Sequence, residues 1–106
     1  MISRDLPALE ETAAEVERFG GTAATYAADV SDDQAVEAAV ASFEERLGPI
    51  DVWVNNAMVS VFSPIKEMEA TEFRRVTEVN YLGYVHGYAC RVALGCFREI
   101  KAASFR

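Results

Sequence analysis

The stretch that decides the fold is Ile50-Asp51-Val52-Trp53-Val54-Asn55-Asn56-Ala57-Met58. Its apolar residues through Val54 predict a short buried strand, and two amides and a small residue follow that strand directly. Open α/β folds bind ligands at the carboxyl ends of their parallel strands, so these amides would lie at a ligand-binding edge. The stretch also fits a core strand followed by an Asx turn, because Asn commonly bonds its own nearby backbone. On its own it predicts a strand and leaves the function open.

A helix and another strand are predicted at the start of the chain. Apolar residues recur at helical spacing from Leu6, and Gly20-Gly21 ends a helix of about 6–19. Small residues on both faces over about 22–28 predict a strand that is covered on both sides, as in a parallel sheet.

The second predicted helix spans about 33–47 and links the two strands. Ser31 and Gln34 have the spacing of a capping box at its start, and Gly48-Pro49 stops it. The residues predicted to be buried on this helix are Val36, Ala39, Val40, Phe43 and Leu47. Residues 22–55 therefore predict a strand, a helix and a strand with a right-handed crossover.

The third predicted helix spans about 71–94, and Thr71 is expected to cap it. One stripe of this helix contains Phe73, Val76, Asn80, Gly83, Gly87, Cys90 and Leu94. Two glycines in a helix cost about 1 kcal/mol each relative to alanine, which predicts close approach to a neighbouring backbone. The segment 95–106 has no strong pattern and is predicted to be a tail outside a single domain of 1–106.

Composition excludes several classes of function. A net charge of -7 disfavours nucleic acid binding, which needs concentrated Lys and Arg. Cys90 and Cys96 lie on different helix faces and lack partners at metal-ligand spacing, so neither a disulfide nor a metal site is expected. Two unpaired thiols, no apparent signal peptide and no long apolar run predict a soluble cytoplasmic protein.

The order of three motifs resembles the middle of a short-chain dehydrogenase/reductase, from Leu6 to about Leu94. The motifs are Asp29-Val30 after one strand, Asn55-Asn56-Ala57 after the next, and Val79-Asn80 in the following helix. The resemblance implies an α/β fold, a partial Rossmann-like (doubly wound) domain with parallel strands about 22–28 and 50–55. Its helices would be those of about 6–19, 33–47 and 71–94.

The same resemblance implies contacts with NAD or NADP. Asp29 would bond the adenine amino group, and Val30 would pack against the ring. Asn56, Ala57 and Met58 would lie beside the nicotinamide-side ribose, although the family usually has Gly at the position of Met58. The carboxylate of Asp29 is equally suited to capping the next helix.

Two further asparagines acquire roles from the resemblance. Asn80 would be the catalytic-site asparagine, opening the helix ladder and holding a water of the proton relay. Asn55 would tie neighbouring strands together. Without the family context, Asn80 would be interpreted as a structural residue bonding a backbone carbonyl, and His86 is expected at the helix surface.

Parts of the family pattern are not found in this sequence. There is no Gly-x-Gly turn for the pyrophosphate, and none of the four tyrosines has a lysine four residues later. The chain alone is therefore predicted to be inactive. In the family's sheet the strands of 22–28 and 50–55 are separated by the first two strands, which are expected to precede Met1 together with the residue that selects NAD or NADP. With two strands and unpaired edges, the isolated chain is predicted to fold poorly or to form oligomers.

The sequence thus leaves two classes of function. In the first, the chain is an oxidoreductase segment for NAD(P)-dependent hydride transfer at an alcohol or carbonyl carbon, with a small substrate of that type. In the second, it is a non-catalytic module that pairs with copies of itself through the helix of 71–94, or a truncated remnant. Neither involves nucleic acid or a membrane.

Overall fold

The structure, a computed structural model, describes the backbone of residues 1–93 and the side chains of residues 1–90. The predicted tail of 95–106 lies outside these residues, so the proposed division of the chain stays a prediction. The elements in chain order are β1 (Ile2–Ser3), α1 (Leu6–Arg18), β2 (Tyr26–Ala27), α2 (Asp33–Leu47), α3 (Ala70–Thr77) and α4 (Gly83–Ala93). A short 3-10 turn (Ile65–Glu67) precedes α3, and a π turn (Glu78–Leu82) joins α3 to α4.

Strands β1 and β2 form a parallel pair, with Ile2 opposite Tyr26. The amide of Tyr26 donates to the carbonyl of Met1, and that of Ala28 donates to the carbonyl of Ser3, each at 3.0 Å. The predicted strand of 22–28 is therefore present in shortened form. The expectation that both preceding strands lie before Met1 is wrong, because β1 supplies one of them; two residues at the chain start are too few to show a strand period.

The predicted strand of 50–55 is not formed, and it pairs with no strand among the described residues. Val52 and Val54 are 66% and 75% exposed, although their apolar pattern is typical of a buried strand. A strand requires a neighbour to receive its backbone hydrogen bonds, and an open cleft lies between this segment and β1. The prediction was wrong because the pairing partner that the pattern requires is not supplied within residues 1–93.

The core lies where α2 packs on the sheet and on α4. One cluster joins Ala24, Ala39 and Phe43, and the ring of Phe43 meets that of Tyr26 edge-on at 6.4 Å between centroids. A second cluster joins Val36, Val40 and Cys90. Four of the five residues predicted to be buried on α2 are buried. Leu47 is 52% exposed, because it lies in the last turn beyond the end of the sheet.

Helix boundaries agree with the prediction to within two residues for α1 and α2, but two predicted caps are wrong. The cap of α2 is Asp32, whose side chain accepts from the amide of Ala35 at 3.1 Å. Helix α3 begins with a capping box of Glu69 and Glu72 instead of at Thr71. In both cases a nearby carboxylate, a stronger acceptor than a hydroxyl, provides the cap.

The predicted helix of 71–94 is divided by the π turn, and its stripe is only partly buried. Gly83 and Gly87 face the interior of the chain: an added Cβ would lie 2.8 Å from the Val30 side chain and 2.6 Å from Asn55 Oδ1, respectively. Phe73 is 65% exposed instead of buried. The outward face of the π turn and α4 contains Tyr81, Val85 and Tyr88, and Tyr84 is exposed beside a cleft that it also lines. Within residues 1–93, no helix combines the length and apolar character needed to cross a membrane.

Candidate functional site

A cleft of about 820 Å³ separates β1 and β2 from the segment of 52–59. Residues of α2, α3 and α4 also line this cleft. All five residues predicted to contact a cofactor line this cleft, namely Asp29, Val30, Asn56, Ala57 and Met58. The structure thus brings two motifs that lie 27 residues apart in sequence to opposite sides of one cleft, since β2 and the 52–58 segment both end there.

Asp29 follows β2 and has an extensive set of hydrogen-bond donors. Its Oδ1 accepts from the backbone N–H of Ser31 at 3.0 Å and from the Ser31 hydroxyl at 2.7 Å. Its Oδ2 accepts from Arg75 Nη2 at 2.6 Å, and Arg75 Nη1 donates to the Ser31 hydroxyl oxygen at 2.9 Å. Asp32, not Asp29, caps α2, so the capping interpretation of Asp29 is excluded.

These contacts determine the charge of the Asp29 carboxyl. Partial burial by itself raises its pKa, but the hydrogen bonds from Ser31, the hydrogen bond from Arg75 and the charge of Arg75 outweigh burial and lower the pKa from 3.8 to about 2. Arg4 adds a second guanidinium, whose Nη1 lies 3.8 Å from Asp29 Oδ2. Asp29 is therefore ionised throughout the neutral range.

Val30, the residue after Asp29, is contacted by α4. Its side chain packs on the second core cluster and against Gly83, where no Cβ intervenes. The carbonyl oxygen of Val30 lies 3.2 Å from His86 Nδ1, and because a carbonyl only accepts, the proton of this contact is on the histidine. His86 is half-buried and not the surface residue expected from the sequence.

The residues of 55–58 are exposed along the other side of the cleft. Asn55 Oδ1 accepts from the indole N–H of Trp53 at 2.8 Å, so within the described residues this contact lies inside one segment and does not join two strands as expected. Met58 lines the cleft and is 73% exposed.

Asn80 lies in the π turn and bonds the backbone beside this segment. Its Oδ1 accepts from the amide of Val59 at 2.9 Å, and its Nδ2 donates to the carbonyl of Val59 at 3.0 Å. The interruption expected in the helix at Asn80 is present, since π turns widen the helical ladder by one residue. Both ends of the amide are thus occupied by the backbone of one residue, Val59, and Asn80 anchors the chain directly after the 55–58 segment.

Arg75, His86 and Arg4 were not identified from the sequence. Arg75 pairs with Asp29 across 46 residues, and no local spacing reveals such a pair. Arg4 would have been found if the two-residue strand β1 had been recognised, because it directly follows that strand. Among the described residues, no group of three or more His, Cys, Asp or Glu side chains is arranged to hold a metal ion.

Comparisons with known proteins identify the family and the fold that this chain resembles. The sequence model of the short chain dehydrogenases matches residues 1–99. The 3beta-hydroxysteroid dehydrogenase 1 of Eggerthella lenta is 38% identical over 91 residues, which are 86% of this chain and 34% of that protein.

Two solved structures show the same fold as this chain. The structure of NAD+-bound xylitol dehydrogenase matches with a TM-score of 0.79 and 31% identity over 84% of this chain and 35% of that one. The L-sorbose reductase of Gluconobacter frateurii, solved with NADPH and L-sorbose, matches with a TM-score of 0.77 and 27% identity over 87% of this chain and 35% of that one. These likenesses confirm the predicted partial Rossmann-like α/β fold. The chain spans about a third of the length of each of these proteins.

Proposed function

The chain belongs to the short-chain dehydrogenase family, and we propose that it is the central segment of an NAD(P)-dependent oxidoreductase. The proposed reaction is hydride transfer between the nicotinamide and an alcohol or carbonyl carbon of a small substrate. The observation that carries the proposal is the convergence of Asp29-Val30 and Asn56-Ala57-Met58 on one cleft. The hydride chemistry belongs to the cofactor, and this chain's residues bind and orient it.

The residues around the cleft fit the adenosine end of such a cofactor. An ionised carboxylate has about four acceptor sites. Three sites of Asp29 are used by Ser31 and Arg75, which leaves one for the adenine amino group. Val30 supplies an apolar surface beside it for the ring. The sequence has no Gly-x-Gly turn for the pyrophosphate, so the fit covers the adenosine and ribose parts and not the phosphates.

We propose that Asn80 acts in the catalytic half of the site. Its amide holds Val59 and so determines the position of Asn56, Ala57 and Met58, which would lie along the nicotinamide-side ribose. Proton transfer to the substrate would need an acid or base that this chain does not provide, since no tyrosine has a lysine four residues later. The 106-residue chain is therefore expected to bind nucleotide weakly and to turn over no substrate.

Binding and turnover test this proposal separately. The probes are 2′,5′-ADP for binding, followed by ligand-detected NMR, and NADPH with a panel of small ketones for turnover. Asp29→Asn should weaken 2′,5′-ADP binding about tenfold, as expected for loss of a charged acceptor. Asp51→Asn, an exposed carboxylate away from the turn, is the matched control and should bind like the parent chain. Failure of the parent chain to bind, or measurable NADPH oxidation, would contradict the proposal.

Arg4 favours NADP as the cofactor. It directly follows β1, is 62% exposed and lies 3.8 Å from Asp29, at the edge of the cleft where the adenosine ribose would lie. In dinucleotide-binding folds, an arginine near this ribose accommodates the 2′-phosphate. Arg4→Ala should therefore weaken 2′,5′-ADP more than 5′-ADP, and equal effects on both would contradict the assignment.

A second candidate function is self-association through the outward face of α4. Tyr81, Tyr84 and Tyr88 are each more than half exposed and follow one another at helical spacing. Large amphipathic rings of this kind are enriched at protein interfaces. A second copy of the chain is the proposed partner. Tyr81→Glu should shift the mass measured by light scattering toward the monomer, whereas bulky replacements of Gly83 or Gly87 would disturb the fold instead.

The protein is proposed to act in the cytoplasm. Its two cysteines, six residues apart in a helical pattern, suit a reducing compartment.

A further inference from the structure

We propose that Arg75 is a positioning residue that holds one acceptor site of the Asp29 carboxylate ready for an N–H donor, the exocyclic amino group of an adenine ring. The inference rests on the proposed function, in which Asp29 contacts the adenine. Arg75 itself is on α3 and would act through Asp29 and Ser31.

The geometry is that of a closed ring of hydrogen bonds. One guanidinium nitrogen of Arg75 donates to Asp29 Oδ2 at 2.6 Å, and the other donates to the Ser31 hydroxyl oxygen at 2.9 Å. The Ser31 hydroxyl then donates to Asp29 Oδ1 at 2.7 Å. A planar, rigid fork is needed to meet two acceptors at once, and lysine does not provide one. Arg75 thereby fixes both the rotation of the carboxylate and the Ser31 hydroxyl.

The acceptor count determines what this carboxylate can still bind. Oδ1 accepts two hydrogen bonds from Ser31, which fill its two lone pairs. Oδ2 accepts one from Arg75 and keeps one lone pair, because Arg4 is at 3.8 Å, beyond hydrogen-bond distance. Asp29 and Arg75 both line the cleft. A single, fixed acceptor fits one N–H of an amino group, and an unrestrained carboxylate would lose that selectivity.

Exposure separates Arg75 from a surface ion pair. The side chains of Arg75 and Asp29 are 31% and 30% exposed, whereas Arg4 is 62% exposed. The adjacent Arg74 is exposed, and no hydrogen bond or ion pair involves its side chain among the described residues. Arg74 therefore offers a matched control, with the same charge on the same helix.

The test compares two nucleotides that differ only at the position read by Asp29. The probes are AMP and purine riboside 5′-monophosphate, which lacks the 6-amino group, and their dissociation constants are measured by NMR titration of the 106-residue chain. The parent chain should prefer AMP about tenfold, the value of one hydrogen bond to a charged acceptor. Arg75→Met should reduce the preference to near one, Arg75→Lys should restore part of it, and Arg74→Met should keep it whole.

A measurement without ligand tests the effect of Arg75 on Asp29 independently of nucleotide binding. Titration of the Asp29 side-chain carbon by NMR should show that its pKa rises from about 2 toward 3.8 in Arg75→Met and is unchanged in Arg74→Met. If the parent chain binds neither nucleotide, the proposed function fails and the role of Arg75 falls with it. If the parent chain prefers AMP and Arg75→Met keeps that preference, the positioning role alone is overturned. A uniform loss of affinity for both nucleotides would mean a merely structural role and would also overturn it.

Discussion

Two segments border the cleft, the turn at 29–31 and the stretch of 52–58, and they are held in different ways. The turn is fixed by long-range contacts: Arg75 to Asp29 and Ser31, and His86 to the carbonyl of Val30. The stretch of 52–58 leaves Val52 and Val54 mostly exposed and forms no strand. In the sequence, the turn at 29–31 comes directly after a strand-like apolar pattern, and the stretch of 52–58 begins within another.

The difference shows where each segment obtains its partners. Helices α3 and α4 lie within the described chain and supply donors and packing to the turn. An extended segment needs neighbours on both edges and cover on both faces, and for 52–54 one edge borders the open cleft. The half of the site that would bind adenosine is thus preorganised, whereas the half that would bind the nicotinamide side is left unpaired by the described residues.

The largest test of this contrast compares a buried residue of α2 with an exposed residue of the 52–58 stretch. Phe43 is 7% exposed, and Phe43→Ala should lower the free energy of unfolding by about 3 to 5 kcal/mol through lost burial and a cavity. Val52 is 66% exposed, and Val52→Ala should change it by less than about 0.5 kcal/mol. Urea denaturation followed by tryptophan fluorescence measures both. A comparable loss in the two variants would mean that 52–54 is buried in solution.

A second test addresses the contact that anchors the open segment to α4. A Cβ at Gly87 would lie 2.6 Å from Asn55 Oδ1 and 2.8 Å from Trp53 Nε1, so Gly87→Leu should destabilise the chain by about 2 kcal/mol through overpacking. Ala89→Leu places the same side chain at an exposed position of α4 and should have little effect. If both variants unfold at the same urea concentration as the parent, the segment does not pack on Gly87.

The third test uses the charge of Asp29 and concerns only the turn at 29–31. The pKa of Asp29 is about 2 in the folded chain, against an ordinary value of 3.8 that applies to the unfolded chain. Asp29 therefore contributes stability that is fully present above pH 3.8 and is lost as the pH falls toward 2. After allowance for its 30% exposure, the contribution is about 1 to 2 kcal/mol. Urea melts of the parent chain and of Asp29→Asn at pH 6 and pH 2.5 measure it. The gap between the two chains should shrink at the lower pH, and a constant gap would contradict the lowered pKa.

The same contrast explains what could be predicted from the sequence. Helices α1 and α2 were located to within two residues because their spacing and end signals are local. The strand of 50–55 was predicted wrongly, since apolar alternation shows that a segment suits a sheet but not whether a partner is present. Arg75 was not identified from the sequence, because its partner Asp29 lies 46 residues away.

The candidate site likewise contains residues that local sequence motifs identify and residues that act only through long-range contacts. Asp29, Asn56 and Asn80 were identified through the order of family motifs, and the structure brings the first two to one cleft. Their roles toward a cofactor stay predictions. Arg75 and His86, which hold Asp29 and Val30, act across the fold and carry no local pattern, so only the three-dimensional structure could reveal them.

A charge introduced at Val54 should have the smallest effect on stability. It is also the most direct test of whether the unpaired stretch of 52–58 promotes association. Unpaired apolar edges promote association, and a lysine at such an edge opposes it. Val54 is 75% exposed, so Val54→Lys should change the free energy of unfolding by less than about 0.5 kcal/mol. It should nevertheless weaken self-association at least about tenfold, which is about 1.4 kcal/mol.

Sedimentation velocity over a range of concentrations measures this association. Ser60→Lys makes the same charge change at an exposed position outside the apolar run, and it should associate like the parent. If both lysine variants dissociate equally, net charge and not the open edge controls assembly. If the parent is monomeric at every concentration, the exposed valines are not sites of association, and the outward tyrosines of α4 lose their support as well. Dissociation by Val54→Lys alone would locate the association at the one side of the cleft that the chain leaves unpaired.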